Sequence, residues 1–326
     1  MRWIRLRAVV AAGMFGVLAA APCPIQANSD NTPRIWFAPR DPRGLESGSL
    51  DFLDLFQDNA PWQRAAALAK VFKLTPRFLT VATDDVLGRV LLDLKRRHIA
   101  LAAELGVLHP TASCGQIEGY MRNQLELAQR IRRLGGDLRF VAADEPLYFG
   151  HSFDGKAACR TPLAALAQDA AGTARQIRSV FPDVRIIDIE PISNFKEANW
   201  DSLVAEWLTA FRDAYGEPFA AFDIDIDWGR PWQDRVATIT AQMRRANMRI
   251  GVIYNGNPKD PTDAAWLDAA RQHYTAYEAL VGGPPDDVIF QSWVVHPTRV
   301  LPESSPDAFT HLLLEYARSH PGVPRP

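Results

Sequence analysis

The stretch Phe219-Ala-Ala-Phe-Asp-Ile-Asp-Ile-Asp-Trp228 opens on four apolar residues and then sets an aspartate at every second position. A period of two is the pattern of a β-strand, whose successive side chains leave on opposite sides. Two earlier segments have the same character: Phe140-Val-Ala-Ala-Asp-Glu-Pro146 and Val184-Arg-Ile-Ile-Asp-Ile-Glu-Pro191. A carboxylate at the end of an apolar strand is costly to bury, and acid placed there usually has a task. In a parallel sheet, three such ends lie side by side.

Outward from these segments, apolar runs alternate with amphipathic ones along the chain. Strands are expected at Arg34–Pro39, Val71–Thr75, Ile99–Val107, Leu138–Ala143, Val184–Ile189, Phe219–Asp227, Arg249–Tyr254 and Val288–Val294. Helical patterns fall between them. Gln116–Leu134 puts Ile117, Met121, Leu125, Ala128 and Ile131 on one face and stops at Gly135-Gly136, a C-cap signal. Asp234–Met248 has a similar face, and further helices are expected at Asp84–Arg97, Pro162–Val180, Ser202–Tyr215, Asp263–Leu280 and Pro306–Arg318, with a weaker one at Pro61–Lys70. Eight strand–helix units predict a single (β/α)8 barrel of the α/β class. A doubly wound open sheet would carry a G-x-G-x-x-G turn, and the chain has none.

In such a barrel the active site gathers at the carboxyl ends of the strands. Alternation gives Asp188 and Glu190 one face of the fifth strand and Asp223, Asp225 and Asp227 one face of the sixth. The isoleucines between them are assigned to the helical shell, so both sets of acids are expected to point into the barrel. Glu145 ends the fourth strand beside Asp144, and Lys73 and Glu104 can join the ring, Lys73 also as a partner for Glu190. Two carboxyls in different environments suit cleavage of a glycosidic bond, one protonated to donate to the leaving oxygen, the other ionised. The expected catalytic set is Glu145, Glu190 and Asp225. Trp228, Trp293, Tyr148 and Tyr254 are candidates to hold a sugar ring; His151, Asn255 and Gln291, with Lys73, Glu104, Asp144 and Asp227, are candidates to bind its hydroxyls.

Asp144-Glu145-Pro146 resembles the Asn-Glu-Pro that ends the fourth strand in the large clan of retaining (β/α)8 glycoside hydrolases. The resemblance implies Glu145 as acid/base. It departs from that clan at the seventh strand, where the clan keeps its nucleophilic Glu and this chain has Ile253-Tyr254-Asn255-Gly256. Other barrel glycosidases pair the fourth strand with the fifth or sixth, which suits Glu190 or Asp225. Two rival readings use the same acids. One is a carbohydrate-binding barrel without catalysis. The other is a metal-dependent isomerase or lyase, against which no H-x-H or H-E-x-x-H pair occurs. The expectation is hydrolysis of an oligo- or polysaccharide without cofactor or metal.

The chain begins as an export signal does. Arg2, Arg5 and Arg7 precede an apolar run from Ala8 to Ala21, and Ile25-Gln26-Ala27 offers a cleavage site. The expected division is a signal peptide at 1–27, the barrel at 28–320 and a disordered tail at 321–326, with the mature protein periplasmic or secreted and monomeric. No run approaches the roughly 20 apolar residues of a membrane span. Cleavage would remove the three arginines and leave 33 basic against 38 acidic residues, from 36 and 38 in the whole chain. No basic stripe remains to hold nucleic acid. Cys114 and Cys159 then survive, and an oxidising compartment favours a disulfide between them.

Overall fold

The computed structural model describes residues 32–42, 48–109, 124–320 and 322–323. The expected signal segment, most of the expected tail, and Cys114, hence the Cys114–Cys159 pairing, lie outside them. Strands β1 (Arg34–Ala38), β2 (Ala69–Leu74), β3 (Ala100–Leu105), β4 (Leu138–Asp144), β5 (Arg185–Glu190), β6 (Phe222–Ile224), β7 (Ile250–Tyr254) and β8 (Asp287–Gln291) pair in parallel, in chain order, and β8 closes on β1. This is a (β/α)8 barrel. The helices around it are α1 (Gln63–Leu68), α2 (Pro76–Val81), α3 (Asp84–Arg96), α4 (Gln124–Arg133), α5 (Leu163–Val180), α6 (Trp200–Tyr215), α7 (Gln233–Arg245), α8 (Asp263–Val281) and α9 (Phe309–Ser319).

Local chemistry sets these boundaries. The Thr83 hydroxyl accepts the Val86 N–H at the start of α3, and Thr262 does the same for Ala265 at α8. Gly216 and Gly282 close α6 and α8 in the left-handed conformation, φ 94° and 83°, where a side chain would be strained. β6 is shorter than its sequence pattern suggests. Its pairing fades after Ile224, although the Asp225 N–H still reaches the Glu190 carbonyl at 3.1 Å.

Two apolar clusters divide the molecule. The larger lies between barrel and helices. The smaller fills the barrel and includes Trp36, Val71, Ala102, Phe140, Ile187, Ile189, Ile253 and Ile289. Below it, Arg34 grips Asp287 with two bonds of 2.6 and 2.8 Å, and the Trp36 indole N–H adds a third at 3.0 Å. The barrel is thus plugged at its amino end by an ion pair and packed with apolar side chains in the middle. Apart from the deeply buried Asp223, the other polar side chains of the interior gather at its carboxyl end.

Candidate active site

The cavity at that end has a volume of about 580 Å3. Glu145, Pro191, Asn194, Asp225, Asp227, Trp228, Asn255, Asn257, Lys259 and Trp293 contribute to its wall. A small recess beside it is lined by Lys73, Glu104 and Gln291, and Trp293 borders both. Strands β2, β3, β6, β7 and β8 therefore each send a polar side chain to the mouth.

Glu145 takes its place through its backbone. It follows β4 with φ at 50°, a left-handed conformation uncommon for a residue with a side chain. Its N–H donates to the Ile189 carbonyl at 3.1 Å, and its carbonyl accepts from Phe149 at 3.0 Å, so the strained turn is held from both sides. Strain of this kind is kept where surrounding structure overrides it, and it clusters at functional positions.

Asp225 is the acid that β6 brings to the cavity. Phe222, Ile224 and Ile226 pack toward the helices, so Asp223 and Asp225 turn inward. Burial, then the like charge of Glu104, pushes the Asp225 carboxyl up to about 7, against the pull of Lys73. Asp223 lies deeper and is fully buried. Burial, then Asp287, pushes it up to about 8, and neither of its oxygens has a hydrogen-bond partner. It sits against β7 because residue 251 is glycine; a methyl group there would overlap its carboxylate. Asp227 is exposed on the loop, bound to Arg230 at 2.8 Å and to the Gly229 N–H at 3.1 Å.

β5 departs from the sequence reading. Ile187 and Ile189 fill the barrel, and Asp188 and Glu190 face outward. Asp188 accepts the Trp207 indole N–H of α6 at 2.9 Å. Glu190 accepts the N–H groups of Leu147 at 2.6 Å and Tyr148 at 3.0 Å. Glu190 is fully buried and outside the cavity wall, so it does not stand with Glu145 and Asp225 as a reacting group. It holds the segment that follows Glu145-Pro146. Lys73 is bonded to Glu104, not to Glu190.

Other candidates separate in the same way. Gln291 donates to Glu104 at 2.9 Å. Asn255 is 7 % exposed and lines the cavity. Trp228 also lines it, with its ring stacked on His273 at 4.3 Å. Tyr254 is fully buried among Tyr274, Tyr277 and Phe290, so it packs in the helical layer and is not part of the cavity wall. Tyr148 packs on Phe149, Phe153 and Phe195, and His151 bonds the Thr161 carbonyl at 2.8 Å. Neither is part of the cavity wall. Asp144 ends β4 opposite Ile189, half-buried and likewise off that wall.

The sequence reading missed Asn194, Asn257 and Lys259, which belong to loops after β5 and β7. It also missed His273, on α8, whose Nδ1 bonds the Asn255 carbonyl at 2.6 Å. Burial lowers the His273 pKa, so the ring is neutral at pH 7. Their positions after strand ends were the available signal for the loop residues; nothing local marks His273. Among the described residues, no group of three His, Cys, Asp or Glu is arranged to hold a metal ion. No helix among them is long and apolar enough to cross a membrane.

No protein-family model and no curated protein matches the chain. Solved structures do. Xylanase 10B from Thermotoga maritima superposes with a TM-score of 0.53 at 9% identity, covering 89% of this chain and 96% of its own. A GH10 endoxylanase from a sugarcane soil metagenome gives 0.51 at 10% identity, with 82% and 90% covered. At such identities the likeness concerns the barrel.

Proposed function

We propose that the protein is a glycoside hydrolase that cleaves an oligo- or polysaccharide with Glu145 and Asp225. The observation that carries this reading is the single cavity whose wall includes both carboxyls, with Trp228 and Trp293 beside them. Indole rings offer apolar faces to sugar rings, and Asn255, Asn257 and Lys259 offer polar contacts around them. Both solved structures described above, with TM-scores just over one half, are named as xylanases, which supports this substrate class by analogy of fold.

The two acids have different environments, which divides their roles. Asp225 keeps its proton to about pH 7 and donates it to the glycosidic oxygen as the bond to carbon breaks. Glu145, on the strained turn after β4, is assigned the complementary role. It acts at the anomeric carbon, directly in a retaining enzyme or through water in an inverting one. This allocation gives the proton to β6, where the Asp-Glu-Pro resemblance implies Glu145 as the acid/base. Leaving groups separate the two. Loss of the donor is largely relieved by an aryl leaving group that departs without a proton, and loss of its complement is not.

The deciding experiment is turnover on a panel of oligosaccharides and aryl glycosides, with and without EDTA. The expected result is hydrolysis that survives EDTA and declines as pH rises through about 7. Loss of turnover in EDTA would give the site to a metal-dependent isomerase or lyase. Oligosaccharide binding without turnover would make it a binding barrel, the reading that Asn255 at the end of β7 favours. We also propose export, on the strength of Arg2, Arg5 and Arg7 before the apolar run to Ala21, and a Cys114–Cys159 disulfide in the mature protein. N-terminal sequencing after secretion and thiol titration test these two points.

A further inference from the structure

Two residues of the cavity wall, from different strands, share one support. Trp228, on the loop after β6, and Asn255, directly after β7, both line the cavity. His273 reaches each of them from α8, outside the wall. Its ring lies flat on the Trp228 indole, with centroids 4.3 Å apart and planes within 3°. Its Nδ1 bonds the Asn255 carbonyl at 2.6 Å. A carbonyl only accepts, so Nδ1 carries the proton.

The chain after β7 is shaped for this contact. Residue 256 is glycine, and a methyl group there would overlap the ring and backbone of Trp266 on α8. Backbone and helix therefore approach closely, which brings the Asn255 carbonyl to His273. Around Trp228, His273 covers one indole face, and Trp232 and Tyr254 pack against the ring at 5.0 and 6.3 Å. The indole nonetheless borders the cavity.

Both supported residues also carry an unpaired polar atom. The Trp228 indole N–H and the Asn255 amide oxygen are buried without a hydrogen-bond partner in the protein. Asn255 is only 7 % exposed, a depth at which an unpaired acceptor is costly. One atom is a donor and the other an acceptor. A sugar hydroxyl is both, and a sugar ring adds an apolar face that suits an indole. A histidine that only filled the helical layer would account for neither the two contacts nor the two unpaired atoms.

We propose that the β6–β7 side of the cavity is a subsite for one sugar ring with free hydroxyls, seated on the indole face that His273 leaves open and hydrogen-bonded by Trp228 and Asn255, with His273 as its positioning residue. The proposal rests on the carbohydrate reading above and adds where a ring sits and what holds its seat. His273 itself touches no substrate. It orders the indole and the strand end before the ligand arrives, so that less freedom is lost on binding.

The measurement is the dissociation constant for xylo-, cello-, manno- and galactopentaose by titration calorimetry. All proteins carry Glu145→Gln, so that no ligand is consumed, and melting is recorded for each. His273→Phe keeps a flat ring and loses the N–H. His273→Asn keeps a donor near the place of Nδ1 and loses the ring. His273→Ala loses both, and should weaken binding about tenfold, with about threefold for each of the others. The loss from His273→Ala should be smaller in a Trp228→Ala protein, where the stack is already gone. With Glu145 restored, KM should rise by the same factors while kcat stays within about twofold, the mark of lost uniform binding.

Graded loss of affinity with that coupling supports the proposal. Unchanged dissociation constants in folded His273→Ala, or full additivity with Trp228→Ala, overturn it. If His273→Ala fails to fold, the other two variants decide, because parental affinity in both is enough to reject the idea. A parent that binds none of the four pentasaccharides refutes the subsite as well. Graded binding by a protein that hydrolyses nothing would refute the glycosidase reading and leave the subsite standing. Hydrolysis with unchanged affinities would do the reverse.

Discussion

β5 and β6 are neighbours in the barrel with nearly the same script, Asp-Ile-Glu in one and Asp-Ile-Asp-Ile-Asp in the other, yet they turn their acids opposite ways. On β6 the isoleucines join the helical layer and the aspartates enter the barrel. On β5 the isoleucines fill the barrel and the acids face out, to Trp207 and to the amides of Leu147 and Tyr148. The outward face is as dry as the inward one, since Asp188, Glu190 and Asp223 are all fully buried. What separates them is the supply of donors. A buried carboxyl is tolerated where N–H groups meet it. β5 finds them outside the barrel. Asp223 finds none; burial, which raises both β5 acids as well, pushes it up to about 8.

The largest effect expected from this contrast is on turnover. Glu145→Gln should reduce hydrolysis by roughly two to four orders of magnitude, with the melting temperature nearly unchanged, since its side chain works at the cavity wall. Full activity in that variant would remove Glu145 from the reaction. Breaking β5 should act differently. Glu190→Ala strands two buried N–H groups, at a cost of about 1–3 kcal/mol each, and frees the segment after Glu145. Stability and activity should therefore fall together, whereas a variant that kept its melting temperature would mean that the bracket carries no load.

A smaller effect tests Asp223. It holds its proton in the fold up to about pH 8, while an unfolded aspartate releases it near 4. Its folded pKa is raised, so its contribution is most favourable below the unfolded value and is lost as pH rises toward about 8. The slope from this group approaches about 1.4 kcal/mol per pH unit. Melting measured from pH 4 to pH 8 should show stability declining with pH, and Asp223→Asn should flatten the curve. An unchanged slope in that variant would place the pH dependence elsewhere. Gly251→Ala gives a local check, because the added methyl group meets the Asp223 carboxylate. The single substitution should destabilise by about 1–3 kcal/mol, and pairing it with Asp223→Ala should recover part of that loss. Strict additivity in chemical denaturation would contradict the contact.

Periodicity made the barrel legible. Strand and helix periods alternate along the chain, and glycines mark the ends of α4, α6 and α8. The β6 acids were legible too, because Phe222, Ile224 and Ile226 pack outward as their pattern implies. The facing of β5 was not. Isoleucine fits a barrel interior as well as a helical layer, and the choice depends on Trp207, nineteen positions away in sequence, and on amides of the preceding loop. Tyr254 was misread for a related reason: the residue at a strand end meets solvent or the helical layer according to parity, and its neighbour Asn255 has the cavity side. Residues such as His273 act from a helix on a strand, and no local pattern announces them.

The central claim is that β6, not β5, supplies the second carboxyl of a hydrolytic pair. The most direct test is hydrolysis by Asp225→Asn and Asp188→Asn beside the wild type, on the same glycoside panel, with melting recorded for each. The account predicts that Asp225→Asn loses roughly two to four orders of magnitude on substrates that need protonation of the leaving group, while Asp188→Asn keeps the wild-type rate. Wild-type turnover by folded Asp225→Asn, or its loss in folded Asp188→Asn, would contradict it.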